Sequence, residues 1–407
     1  MARRFFALAA SFAIAVAAPV AAYAQAGGGP SIEEARVRWG PLGLSPRVAL
    51  TNIGVDSNVF NSEGEPERDF TATVSPGVDS WFRVGAAQLS VRTTLDWTYF
   101  RRSADQRSLG LSEEGRFDLL FNRLNPYAIG SYITTRRRPN LEIDARVRQK
   151  QQELGVGTQA RLGARLTLDA VASHSFVDFS DAEFGSELIA DALNRESRRA
   201  AIAARFALTP LTTLTVQSAL EQDRFERDGL RDSNSLLILP GLAMEPSALV
   251  SGRVEVGMRR FEALAPDVPD FTGLVASTDV SYIAREMTRF SISVSRDVDY
   301  SIDQDEPYLV VTTGGLTVTQ VIGFNWFVVG RVARSQLTYK ALSGVSAESP
   351  GDGRRDYATT LGAGVARRLG ADLRVGLDVD HVSRRSPVDG RDYEGYRLGG
   401  SITYGTN

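Results

Sequence analysis

The two histidines are the residues of this 407-residue chain that are best suited to acid–base catalysis. His174 lies between Ser173 and Ser175, and His381 lies two residues before Ser383. A serine hydrolase needs a histidine within hydrogen-bond reach of its nucleophile and a third group that orients the ring. Neither neighbourhood matches such a motif. Each histidine also falls at the alternate positions that the apolar residues of its segment occupy. The sequence therefore predicts no enzyme and no catalytic residue.

Composition excludes several other kinds of chemistry. The chain has no Cys, so it has no thiol nucleophile, disulfide framework or iron–sulfur site, and its two His cannot form a three-His metal centre. Gly155 and Gly157 lack the strand–turn–helix context of a dinucleotide fingerprint. The 46 basic and 49 acidic residues give a net charge of −3, without the basic excess of a nucleic-acid-binding protein. We expect no metal, no cofactor and no nucleic-acid partner.

A larger set of charged side chains occupies alternate positions of long segments, opposite the apolar side chains. The set is Arg92, Asp96, Arg116, Asp118, Arg161, Arg205, Glu221, Arg253, Glu255, Arg259, Asp279, Asp297, Asp299, Arg331, Arg374, Asp378 and Asp380. In a barrel of 16 to 18 strands such side chains line an aqueous channel, and we predict that these residues line a pore. The alternative is that the charges pair across strands and only make the interior hydrophilic, behind a folded-in loop.

The segments that must position these residues repeat with a period of two. Apolar and polar side chains alternate in residues 89–100, 250–259, 290–300 and 373–380. A strand of about 9 to 11 residues crosses a bilayer, whereas an average globular strand has about 5 to 6. Aromatic residues near the ends of several apolar faces, Tyr127 among them, are typical of the girdles of outer-membrane barrels. The pattern favours a membrane barrel over the alternative, a soluble β-sandwich.

Connector lengths support the same fold. Short connectors are predicted at 85–87, 122–125, 162–164, 209–211, 245–247, 286–287, 322–323 and 370–371, and long polar ones at 57–68, 101–106, 136–145, 178–197, 224–232, 264–270, 302–306, 341–355 and 383–392. Outer-membrane barrels alternate short periplasmic turns with longer outer loops. The sequence therefore predicts an all-β, transmembrane, antiparallel up-and-down β-barrel of about 18 strands, with 16 as the alternative.

One long connector has a helical pattern of its own. In residues 181–195, Leu188, Ile189, Ala192 and Leu193 fall at helical spacing. A short helix at the mouth of the barrel and a disordered loop both fit this segment.

The N-terminal residues indicate export. Arg3 and Arg4 precede an apolar run at 5–20, and residues 22–24 read Ala-Tyr-Ala, a cleavage site before Gln25. After Gln25 no apolar run approaches the roughly 18 to 20 residues of a membrane helix. We predict a signal peptide (1–24), a periplasmic N-terminal tail (25–46) and an outer-membrane β-barrel (47–407), located in the bacterial outer membrane.

The last segment is similar to the C-terminal motif by which outer-membrane barrels are recognised during assembly. Its matching residues are Arg397, Gly399, Ile402 and Tyr404, and three further residues follow the final aromatic, where the family pattern usually stops. The similarity implies two partners, the barrel assembly machinery and outer-membrane lipid.

Three stretches near the N-terminus carry a family resemblance. Residues 53–60 read Ile-Gly-Val-Asp-Ser-Asn-Val-Phe, residues 76–79 read Pro-Gly-Val-Asp, and residues 95–99 read Leu-Asp-Trp-Thr-Tyr. They resemble the putative β-barrel porin 2 family of Proteobacteria, whose genes often accompany those for capsule or exopolysaccharide export. With the lumen pattern, this implies a porin-like channel for hydrophilic solutes, accessory to polysaccharide export and its components. The alternatives are a structural or surface-exposed barrel (an adhesin or assembly partner) with a plugged lumen, and a barrel hydrolase.

Overall fold

The computed structural model describes residues 32–180, 182–246, 248–343 and 353–405 of the chain, so the predicted signal peptide lies outside the described residues. Its strands are β1 (Val37–Trp39), β2 (Leu42–Asp56), β3 (Asp69–Val84), β4 (Ala87–Phe100), β5 (Ser108–Leu119), β6 (Leu124–Arg137), β7 (Val147–Arg161), β8 (Leu166–Phe179), β9 (Glu183–Phe184), β10 (Glu187–Leu188), β11 (Arg195–Thr209), β12 (Thr212–Phe225), β13 (Ser233–Met244), β14 (Val250–Ala263), β15 (Phe271–Ala284), β16 (Thr288–Tyr300), β17 (Tyr308–Ile322), β18 (Trp326–Lys340), β19 (Arg355–Leu369), β20 (Leu373–Arg385) and β21 (Tyr393–Tyr404). Its helical segments are α1 (Ile189–Leu193) and the 3-10 turns Ile32–Glu34, Ala104–Gln106 and Gly229–Arg231.

Eighteen of these strands, β2–β8 and β11–β21, form one closed antiparallel barrel. Each barrel strand pairs with the next along the chain, β8 pairs with β11, and β21 pairs back onto β2. Closure satisfies the backbone groups of the edge strands, which lipid cannot do. The predicted fold class and the strand count of about 18 are confirmed.

Connector lengths divide the barrel into two ends. The connectors at one end span two to five residues, as at 85–86 and 245–249, and those at the other span seven to fifteen, as at 180–194. In bacterial outer-membrane barrels the short turns are periplasmic and the long loops are external. We therefore call the two ends the periplasmic end and the outer end.

The seam between the first and last barrel strands is irregular. Asn52 of β2 has a φ of 54°, and the pairing register shifts there against both neighbouring strands. At Gly54 a Cβ atom would lie 1.8 Å from the carbonyl oxygen of Leu398, so only glycine permits this backbone approach. A bulge bends its strand, which lets the first and last strands meet.

The barrel begins five residues earlier than the predicted boundary at residue 47. Strand β2 starts at Leu42, and the preceding β1 folds back onto it, with Val37 opposite Leu44. Gly40 makes this reversal with a φ of 58°, which glycine adopts without strain. The last part of the predicted tail is therefore barrel wall.

The outer surface of the barrel is apolar along the predicted parity. In β4, Leu89, Leu95 and Trp97 are 41%, 40% and 50% exposed. Arg296 of β16 is a charged exception on this face; its Nε donates to the carbonyl of Leu274 at 3.1 Å and its Nη1 to Thr312 Oγ1 at 2.6 Å. Within the described ranges, no helix has the length and hydropathy to cross a membrane.

Candidate functional site

Strand parity places all seventeen predicted pore-lining residues on the lumen side of the wall. In β20, for example, Leu377 and Val379 are exposed on the outer face, so Asp378 and Asp380 face the lumen. The same alternation holds in the other strands that carry the set, except at the outer end of β16, where Tyr300 has the outer-face parity but is buried against Phe225 inside the barrel. Their position agrees with the expectation, and their role in conduction stays a prediction.

Many of these side chains form ion pairs within the wall. Arg331 lies 2.7 Å from Asp380 and 3.1 Å from Asp378, two strands away. Arg259 of β14 lies 2.9 Å from Asp297 of β16 and 3.2 Å from Glu221 of β12. Because these groups span several strands, they tie together wall segments that share no direct backbone pairing.

Other members of the set contact residues on the same strand or on the neighbouring strand, and some form no ion pair with another described residue. The pairs are Arg116 with Asp118 (2.9 Å), Arg92 with Asp79 (2.8 Å), Arg253 with Glu255 (3.7 Å), Arg205 with Asp169 (3.8 Å), Asp96 with Ser75 (2.5 Å) and Asp299 with the backbone N–H of Tyr300 (2.9 Å). In the described part of the chain, no ion pair engages Arg161, Asp279 or Arg374.

Sequence reasoning missed several residues of the same wall. Arg47 donates to Asp79 and Thr94, both at 2.5 Å. The hydroxyl of Tyr127 donates to Asp169 at 2.8 Å. Arg47 was missed because it fell at the predicted tail boundary, and Tyr127 because its ring was assigned to the outer aromatic girdle. Register against neighbouring strands could have found both.

Several of these lumen-facing charges remain open to solvent. The side chain of Arg92 is 50% exposed, that of Asp378 is 38% exposed, and those of Asp297 and Arg253 are each 34% exposed. These side chains point into a closed barrel, so the exposed surface belongs to the lumen. The lumen is therefore accessible to water at these residues.

At the outer end, the connection between β6 and β7 folds inward; we call residues 138–146 the crossing loop. The Nδ2 of Asn140 donates to the carbonyl of Tyr300 at 3.1 Å, and Glu142 accepts from Ser301 Oγ at 3.0 Å and from the N–H of Ile302 at 3.1 Å. Because β16 and β17 lie across the ring from β6 and β7, the loop spans the mouth.

Arg384, a buried arginine of β20, also contacts the crossing loop. Arg384 Nη1 donates to the carbonyls of Leu141 at 3.2 Å and Glu142 at 2.9 Å, and lies 3.2 Å from Asp144. Its Nη2 lies 2.5 Å from Asp356. A guanidinium that is 1% exposed and shared by four oxygens positions the loop strongly, because every donor bond is shielded from water.

Burial shifts the pKa values of carboxylates in the outer mouth. Burial raises the pKa of Glu142 and of Asp144 above the ordinary range, with nearby arginines opposing the effect. Burial also raises the pKa of Glu306 to about 7, although Arg354 lies 3.0 Å away. One oxygen of Glu306, Oε1, is buried without a hydrogen-bond partner, which explains why its ionised form is disfavoured.

An apolar cluster lies beside these charges. It joins Ile143 of the crossing loop, Ile189 of α1, Phe225, Phe261 and Tyr308, and both isoleucines are fully buried. Of the two alternatives left open for residues 181–195, a short helix and a disordered loop, the structure shows a short helix, α1, folded into the mouth. The crossing loop was not predicted to fold in, although two apolar residues within a charged loop are a sequence feature that favours burial.

Both histidines lie on the outer face, away from the lumen. His174 Nε2 lies 2.8 Å from Glu196, and His381 Nε2 lies 2.9 Å from Glu394. Ser383 shares the face of His381, but no hydrogen bond joins the two among the described contacts. Nor do the described residues contain a group of three or more acidic or histidine side chains that could hold a metal ion.

The four residues of the predicted assembly motif lie in β21, at the seam. Arg397 lies 2.9 Å from Asp56 inside the barrel, and Gly399 pairs with Gly54. Ile402 and Tyr404 are exposed on the outer face.

Comparison with solved structures gives the same architecture. OccK2 (OpdF) of Pseudomonas aeruginosa matches with a TM-score of 0.53 at 11% identity, over 89% of this chain and 97% of that one. A BenF-like porin of Pseudomonas fluorescens Pf-5 matches with a TM-score of 0.50 at 12% identity, over 89% of this chain and 98% of that one. At these identities the likeness shows the fold alone.

Among curated protein sequences, none matches this chain. Residues 30–404 match the model of a family described as putative beta-barrel porin 2, which covers the whole barrel and agrees with its closed 18-strand architecture. The chain therefore belongs to the putative β-barrel porin 2 family and is a protein of the bacterial outer membrane.

Proposed function

We propose that this protein is an outer-membrane channel for hydrophilic solutes, and that the crossing loop closes its outer mouth in this conformation. The observation that carries the proposal is the exposure of lumen-facing charges such as Arg92 and Asp378, which keep half and over a third of their surfaces in solvent. A wall of both signs of charge with free surface solvates ions and polar molecules.

The contacts that hold the crossing loop in place allow it to act as a gate, which opens and closes the mouth. Its contacts with Ser301, Ile302 and Arg384 are hydrogen bonds and an ion pair, which water can replace when the loop moves outward. The backbone of β6 and β7 stays paired in the wall on both sides of the loop. The loop can therefore change position without unfolding the barrel.

The second candidate is a structural or surface-exposed barrel with a permanent plug. The fully buried Ile143 and Ile189 favour it, because moving the crossing loop and α1 apart exposes apolar surface. In that case the buried arginines hold the crossing loop permanently in the mouth. The two candidates differ in whether ions cross the barrel.

Planar-bilayer conductance separates the candidates. We would compare the wild-type protein with a variant in which residues 140–143 are replaced by Gly-Ser-Gly-Gly, which removes Asn140, Glu142 and Ile143. A gated channel predicts brief or infrequent openings in the wild type and sustained conductance in the variant. The matched control is Glu63→Gln/Glu65→Gln in another outer loop, where both carboxylates are exposed; it should behave as the wild type.

Absence of conductance in both the wild type and the loop variant would favour the plugged barrel. Circular dichroism must show that both proteins are folded, because an unfolded variant also fails to conduct. Conductance increased equally by the control variant would contradict the role of the crossing loop.

Polysaccharide export is the finer proposal, and the family resemblance of residues 53–60, 76–79 and 95–99 supports it. We also propose that Ile402 and Tyr404, exposed on the last strand, are recognised by the barrel assembly machinery. A strain lacking this protein should secrete less exopolysaccharide, and the wild-type gene should restore secretion. Unchanged secretion would remove export from the proposal and leave general solute passage.

A further inference from the structure

The periplasmic end of the lumen carries an excess of arginine. Five lumen-facing arginines lie among the last two residues of a barrel strand at this end, and we call them the arginine rim: Arg83, Arg161, Arg289, Arg368 and Arg374. At the same level of the described strands, the lumen-facing carboxylate is Asp118, which lies 2.9 Å from Arg116. The rim is therefore a local concentration of positive charge in a protein whose overall charge is slightly negative.

The rim covers most of the circumference of the barrel. Its residues belong to β3, β7, β16, β19 and β20, so they lie on a wide arc that runs from β16 through the seam to β7. In the described part of the chain, no ion pair joins a rim arginine to a carboxylate. The outer end differs, since Arg354 and Arg384 each contact buried carboxylates there.

Two rim residues form a like-charged pair. Arg368 and Arg374 are directly opposite in the β19–β20 register. Their guanidinium carbons lie 5.5 and 5.7 Å from the centre of the Phe327 ring. Like charges opposite each other destabilise a sheet, and an anion between them reverses the sign of that interaction. Planar guanidinium groups also bind carboxylate and phosphate oxygens in pairs.

We propose that the arginine rim binds multivalent anionic solutes, which carry several carboxylate or phosphate groups, at the periplasmic entrance. Rings of arginine select anions in pores, and a basic opening concentrates anions from the adjoining solution. The transport consequence rests on the proposed channel function, namely that anions enter the lumen from the periplasm. Binding itself does not require the outer mouth to open.

Isothermal titration calorimetry of the full barrel in an uncharged detergent tests the proposal. The probes are citrate and tripolyphosphate, with sucrose as the neutral comparison. We expect the anions to bind, the affinity to fall as salt is added, and sucrose not to bind. The variant Arg368→Gln/Arg374→Gln should weaken anion binding at least tenfold.

The matched control removes two charges elsewhere, as Arg367→Gln/Arg385→Gln. Arg367 adjoins Arg368 but points outward, over Trp326 at 5.3 Å, and Arg385 is exposed at the outer end. Its affinity should stay within twofold of the wild type. A second rim variant, Arg83→Gln/Arg289→Gln, should lose affinity as the first does and serves if the first does not fold.

Binding of citrate alone would identify carboxylates as the ligands, and binding of tripolyphosphate alone would identify phosphates; either supports the rim. Binding of neither anion, or equal losses in the rim and control variants, would overturn it. Planar-bilayer conductance is measured separately from binding. Binding without conductance would keep the rim and remove the channel, whereas conductance without binding would do the reverse.

Discussion

At the scale of single residues, period-two alternation sorts side chains between lipid and lumen but does not choose their partners. Arg259 is predictable as a lumen residue, yet its contacts with Glu221 and Asp297 join strands that are two steps away on either side. The side-chain period of a strand is a local property. The length of an arginine and the curvature of the wall decide which carboxylates it reaches.

Substitutions at two adjacent positions test this assignment of side chains to the lipid face and the lumen face. Val294 lies on the outer face of β16, where it is 38% exposed, and Ser295 faces the lumen. Val294→Arg should lower the free energy of unfolding by roughly 2 to 4 kcal/mol, because the charge enters lipid near mid-strand, whereas Ser295→Arg should be tolerated. Denaturant unfolding in lipid vesicles measures both. Equal losses, or a larger loss for Ser295→Arg, would show that the assigned faces are reversed.

At the scale of elements, the crossing loop and α1 convert the outer end of the barrel into a small packed core. Glu142, Arg384 and Ile143 are almost fully buried, as in the interior of a soluble domain. Breaking one partner of a buried ion pair leaves an uncompensated charge and costs about 3 to 5 kcal/mol. The loop therefore has a well-defined closed position, and protonation of its carboxylates influences that position.

Closure of the mouth should depend on pH. Burial raises the pKa of Glu142 in the crossing loop, and it raises that of Glu306, which also feels the charge of Glu142, to about 7 in the closed state. The closed state therefore binds these protons more tightly than an open, solvated state does. Lowering the pH from 8 to 5 should therefore favour closure, and raising it should increase the open probability measured in planar bilayers. Glu306→Gln should flatten the response near pH 7, and Glu63→Gln should leave it intact. Openings that become more frequent in acid would contradict the assigned sign.

At the scale of the whole molecule, the barrel has two chemically different ends. The outer mouth contains buried ion pairs such as that of Arg354 with Glu306, while the arginine rim at the periplasmic opening forms no ion pair within the described residues. Two openings that differ in this way give a channel a direction. Membrane orientation is therefore part of the proposed function, and it depends on export of the chain.

Export should remove the N-terminal segment. The Ala-Tyr-Ala sequence at residues 22–24 is a small-residue cleavage site, so the mature protein should begin at Gln25. Mass spectrometry of protein from the outer-membrane fraction measures the new N-terminus. Recovery from the periplasmic supernatant, or with Arg3 and Arg4 still attached, would contradict the export prediction.

The amino-acid sequence by itself determined the class of fold, the approximate number of strands and the face on which most of the charged strand residues lie. Alternation and connector length are local features, and lipid forces the remaining backbone groups into a closed barrel. Helical spacing in residues 181–195 is also local, but it left a short helix and a disordered loop equally open, and the structure shows the helix at Ile189–Leu193.

Only the tertiary structure decided that the crossing loop spans the mouth and that Glu142 meets Ser301. These residues are far apart in the chain, and their contact depends on which strands lie opposite each other once eighteen have closed. The early start at Leu42 likewise depended on its pairing with Phe82 of β3, which no local pattern specified. Ring closure places distant loops in one small volume, and the burial that follows selects the partners of their charges.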